Sequence, residues 1–207
     1  MFASLIRMVT KYDFSDIREY FFEDLKGAYP TKWEDFEAAK VLGEDVFGSP
    51  KPHPNAVLNL FAAEDVRFAV PFAAYRASLG GFSALMSNES GTILPRHILA
   101  STIYGMERTR SSMIQAAPAI ACKQSVPACV DRECDLNVWT TPGERRTEAL
   151  KKIHDVIIGE RKGGVLNPPS LGDLSCSKCT KAIRASHVAW SSDFWEQLPA
   201  IFSVAKR

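Results

Sequence analysis

What the chain lacks narrows it first. No apolar run approaches the roughly 18–20 residues that a helix needs to span a bilayer, so the sequence offers no membrane-spanning segment. Charge imbalance is also missing: 25 Lys and Arg against 24 Asp and Glu leave a formal net charge of +1 over 207 residues. A balance this even creates no long-range attraction to nucleic acid or to an anionic membrane, and neither partner is expected. The small basic cluster of Lys151, Lys152, Arg161 and Lys162 is flanked by acids and reads as solvated helix surface. The opening Met1 to Arg7 lacks the charged-then-apolar layout of a secretory signal. The triplet Asn88-Glu89-Ser90 is accordingly taken as chance, and the expected compartment is intracellular, cytoplasmic or nuclear.

Catalytic signatures are absent as well. There is no G-x-S-x-G elbow, phosphate loop, G-x-G-x-x-G or H-E-x-x-H. Of the four histidines, His53, His97 and His154 stand apart, without acids at useful metal spacing. Glu34-Asp35, Glu64-Asp65 and Asp13/Asp16 read as helix-start or surface acids. No catalytic set and no organic cofactor are expected.

What is present is helical periodicity, while alternation with period two is scarce. Leu5, Ile6 and Val9 form a short stripe. Ser15-Asp16 starts a helix with Ile17, Phe21 and Leu25 on one side, stopped by Gly27 to Pro30. Thr31 and Glu34 have capping-box spacing, which predicts a helix toward Leu42. The stretch 43–54 reads as a loop. Helices are predicted over Val57 to Phe61, over Phe68 to Leu79 with Pro71 in its first turn and Gly80-Gly81 closing it, and from Pro95 toward Cys122. Residues 123–143 look irregular, Leu150 to Ile157 helical, and 163–171 a loop. A final helix should begin at Cys176 to Lys178 and carry Ile183, His187, Trp190 and Phe194. Pro199 should break or kink it ahead of Phe202. The fold class is all-α, a helical array divided as 1–45 and 46–207, the second part being one continuous lobe.

The cysteines form the one constellation that could carry chemistry. Zinc needs four tetrahedral ligands, and two close pairs brought together by folding can supply them. Cys176-Ser177-Lys178-Cys179 is a C-x-x-C at a predicted helix start, and Cys129 with Cys134 is a second, less typically spaced pair. A structural zinc site on Cys129, Cys134, Cys176 and Cys179 is one reading, with Cys122 or His187 as substitutes for the fourth ligand. Five unligated, reduced thiols are the second reading, and a thiol redox site is the third.

Two stretches also carry a likeness. Leu5-Ile6-Arg7-Met8-Val9-Thr10-Lys11-Tyr12-Asp13-Phe14-Ser15-Asp16-Ile17-Arg18 resembles the last helix pair of a BTB/POZ domain. The ending, Leu174-Ser175-Cys176-Ser177-Lys178-Cys179 with His187, Trp195-Glu196-Gln197-Leu198-Pro199 and Phe202, resembles the carboxy-terminal segment of BTB/POZ proteins of mushroom-forming fungi. The resemblance implies terminal BTB helices over 1–45, a helical BACK-like region after them, and a non-catalytic role in binding other proteins. It starts inside the terminal helix pair, which implies a fragment, a shortened product or a paralogue without the front half. Homodimerisation and cullin-scaffold recruitment, which depend on that front half, are therefore not carried over. With its usual cover absent, Leu5, Ile6, Val9, Ile17 and Phe21 are expected either to form an interaction surface or to turn inward.

Overall fold

A computed structural model describes residues 7–8, 11–12, 15–42, 53–87, 93–120, 166 and 176–203. Of this described part 81% is helical and none is strand, as the all-α expectation requires. No helix in it is long and apolar enough to cross a membrane. The readings made for Leu5 to Val9, for 43–52, for 123–143, for 150–157 and for most of 163–171 lie outside the described residues. The chain divides into two compact units, Met1–Met106 with Trp195–Arg207, and Glu107–Phe194.

In the first unit, α1 spans Ser15–Ala28, with Asp16 in its first turn and Lys26 in its last, both complementing the helix dipole. Leu25 is fully buried, whereas Ile17 is 48% exposed. Eight residues at 100° each leave Ile17 about 80° around the helix from Leu25, so the expected common side does not hold. Helix α2 spans Trp33–Leu42. Its cap is shifted one residue from the capping-box expectation: the Phe36 N–H donates to the Lys32 carbonyl at 3.2 Å. The Thr31 carbonyl accepts the indole N–H of Trp195 at 3.1 Å.

Helix α3, Pro54–Ala63, opens with proline where a helix has no use for the N–H, and His53 Nδ1 caps it by accepting the Asn55 N–H. Its end is a Schellman turn: the Val66 N–H reaches the Phe61 carbonyl at 2.9 Å, with Asp65 at φ 57° in the left-handed position that glycine usually fills. Helix α4, Val70–Ser78, carries Pro71 in its first turn as predicted, and its small buried residues Ala73, Ala74 and Ala77 let it pack closely on α3. Gly80-Gly81 does close α4, but the positive φ of Gly81 (73°) leads directly into a further short helix, α5, Gly81–Met86. The buried Asn55 amide ties α3 to α5 by donating to the Ala84 carbonyl at 3.0 Å.

The core of this unit is a run of aromatic rings. Trp195 lies 4.8 Å from Phe36, 5.2 Å from Phe72 and 6.0 Å from Trp33, centroid to centroid. Tyr29 continues the run to Phe61 at 4.8 Å and to Phe72 at 5.9 Å. Tyr75 extends it to Phe202 at 6.3 Å. Edge-on and offset pairs at such separations add about 0.5–1.5 kcal/mol each beyond the area they bury.

Helix α6 spans Arg96–Ile120 and α7 spans Ser177–Ile201, so each contributes to both units. Contrary to expectation, Pro199 does not end α7. It removes one late N–H, while the Phe202 N–H still donates to the Leu198 carbonyl at 2.9 Å and buried Trp195, Leu198 and Phe202 hold the last turn. Close by in the first unit, Gly105 faces the Phe202 ring so tightly that a Cβ there would lie 2.3 Å from it.

In the second unit, α6 buries Thr109, Met113, Ala117 and Ile120, and α7 buries Cys179, Ile183, His187, Ser191 and Phe194. Both sets recur every three or four residues, which places each on one helix stripe. Trp190 stacks on Phe194 at 5.0 Å.

Candidate functional site

Half of the expected zinc set can be placed. Cys176 stands just ahead of α7, where its carbonyl accepts the Thr180 N–H at 2.9 Å. Cys179 is the third residue of that helix and is buried, while Cys176 is half-buried. Both residues sit at the amino end of a 25-residue helix. Cys122, Cys129 and Cys134 lie outside the described residues, and among those described no group of three or more His, Cys, Asp or Glu is placed to hold a metal.

His187 does not join the C-x-x-C. Eight helical residues separate it from Cys179, a rise of about 12 Å, whereas thiolate and imidazole bind zinc at about 2.0–2.3 Å. The ring is fully buried, its Nδ1 lies 3.3 Å from the Ser191 hydroxyl, and Trp190 stands beside it at 5.8 Å.

Of the expected interaction residues, Leu5, Ile6 and Val9 lie outside the described residues, as does the side chain of Phe21 within α1. Ile17 is outward-facing. Tyr20, on the same helix, is 73% exposed, and earlier in the chain Met8 is 43% and Tyr12 60% exposed.

A third location was not anticipated. In the first unit two mainly apolar hollows adjoin, sharing Arg67, Pro71 and Pro199. The larger, about 380 Å³, is lined by the α3–α4 turn together with His97 and the end of α7. The smaller, about 200 Å³, lies among Pro30, Thr31, Phe68, Phe72 and Trp195. The α3–α4 turn sets the charge at their junction. Asp65, held in the left-handed position, accepts from Arg67 Nε at 3.0 Å, and the Arg67 N–H donates to the Asp65 carbonyl at 2.8 Å. The side-chain hydrogen bond to Asp65, aided by its charge, pushes Arg67 still higher than an ordinary arginine, so the guanidinium stays protonated. Asp65 is a surface acid, as read from the sequence, but its left-handed turn and its pairing with Arg67 were not anticipated. The available signal was a helix ending in Ala-Ala-Glu-Asp with no glycine, which obliges another residue, best Asp or Asn, to take the left-handed turn.

No protein-family model, curated protein or solved structure matches the chain.

Proposed function

We propose that this chain is a non-catalytic module that binds other proteins, in keeping with its likeness to the helical end of BTB/POZ proteins. The observation that carries the reading is the outward side of α1, where Ile17 and Tyr20, three residues apart on one helix face, are both exposed, with exposed Met8 and Tyr12 earlier in the chain. Single exposed apolar residues need no explanation, but two large ones side by side on one helix face mark a surface that a partner or a second copy would cover. Replacing Ile17 and Tyr20 together with Asp should leave helix content and the melting temperature unchanged while raising solubility and removing chemical cross-links. Unchanged solubility and cross-linking would end this reading.

A structural zinc module is the second reading, supported by the placement of Cys176 and Cys179 at the start of α7. Cys129 and Cys134 would complete the set, and zinc would organise that part of the chain. Structural zinc supplies folding free energy on the order of 10 kcal/mol in small domains. Native mass spectrometry before and after a strong chelator should then show one zinc lost together with compactness. A compact, metal-free chain would remove zinc and leave reduced thiols as packing residues.

A further inference from the structure

The two hollows beside Arg67 point to a ligand of definite chemistry. The smaller, at about 200 Å³, falls below the roughly 300 Å³ at which small-molecule pockets begin. The larger, at about 380 Å³, lies just inside that range, and two adjoining hollows with Arg67, Pro71 and Pro199 common to both suit two side chains of one peptide. The indole N–H of Trp195 is already given to the Thr31 carbonyl, so it has no donor left for a proline-rich ligand's carbonyls. The charged groups of the lining are Arg67 and Asp65, with His97 the other ionisable side chain. Asp65 is engaged with Arg67 Nε, and the Arg67 side chain is 72% exposed. A guanidinium bound at Nε keeps its two Nη groups for a second carboxylate. The turn that holds Arg67 there is strained: Asp65 is at φ 57°, a conformation uncommon outside glycine.

Resting on the reading of the chain as a protein-binding module, we propose that this groove takes a peptide segment in which an acidic residue, paired with Arg67, lies between two apolar side chains seated in the two hollows. Fluorescence anisotropy of the full chain with labelled peptides tests it, using Gly-Leu-Asp-Leu-Gly and the same peptide with Asn or Lys in place of Asp. The Asp peptide should bind about two- to fivefold more tightly than the Asn peptide, with the Lys peptide weaker still. Arg67→Gln, an exposed and therefore foldable change, should erase that preference. Equal binding of the Asp and Asn peptides, competition by succinate as effective as the peptide, or full binding by Arg67→Gln would each overturn the proposal, as would no binding of any peptide. The Ile17/Tyr20 double Asp variant should bind the Asp peptide like the parent chain. Loss of binding in that variant but not in Arg67→Gln would move the site to α1 and overturn the groove. A failure of the peptides here leaves the α1 surface to its own solubility and cross-linking test.

Discussion

In the first unit the buried interior is a run of rings from Trp33 and Phe36 through Trp195, Phe72 and Tyr29 to Phe61, with Tyr75 and Phe202 beyond. Its buried polar side chains answer to backbone: Asn55 donates to the Ala84 carbonyl, Ser78 to Tyr75 and Thr102 to Ile98. In the second unit the buried stripe of α7 places Cys179, His187 and Ser191 among Ile183 and Phe194, and two of its polar groups meet side chain to side chain. Among the described residues no buried side-chain nitrogen or oxygen lacks a partner in either unit. The difference is in what failure costs. Rings stabilise by area and shape, so they lose in proportion to what is cut away. A buried imidazole–hydroxyl pair is worth little net, yet is expensive to leave half made.

That contrast can be tested by substitution. Trp195→Ala removes three ring partners and orphans the Thr31 carbonyl, and should lower unfolding free energy by about 3–5 kcal/mol in urea titration. Trp195→Phe should recover most of that, leaving the lost indole hydrogen bond. A full loss with Phe would show that the N–H rather than the ring matters. Gly105→Ala puts a methyl against the Phe202 ring at 2.3 Å and should cost about 1–3 kcal/mol unless the ring turns aside. Pairing it with Phe202→Leu should restore part of the loss, and strict additivity would deny the clash. Ser191→Ala, which deletes one hydroxyl in the second unit, should cost about 1–3 kcal/mol because His187 Nδ1 stays buried. A neutral result would mean that the imidazole does not need that partner. The smallest effect is of opposite sign. Asp65→Gly relieves a left-handed residue and should stabilise by up to about 1 kcal/mol, read as a higher urea midpoint. A destabilised Asp65→Gly would mean that the Arg67 pair outweighs the strain.

Local chemistry along the chain is enough to place most described helices. Pro54 and Pro71 in first turns, the stops after Ala28 and Ser78, and the three-and-four spacing of Ile183, His187 and Phe194 are readable because each depends on neighbours within two helical turns. The C-x-x-C at the start of α7 was legible for the same reason. Errors arose where a distant group takes over a local one. Thr31 has the sequence of a cap, yet α2 begins at Trp33, and the Thr31 carbonyl accepts from Trp195, 164 residues away. Pro199 has the sequence of a helix breaker, but buried Leu198 and Phe202 carry the helix past it.

The α-helical class, the element order and the even charge thus follow from the sequence alone, since periodicity, caps and composition are properties of short stretches. Tertiary structure alone decided which side of α1 faces outward and that Arg67 lies between two hollows. Each of these depends on the direction in which side chains leave elements far apart in the chain, and no local pattern encodes that direction.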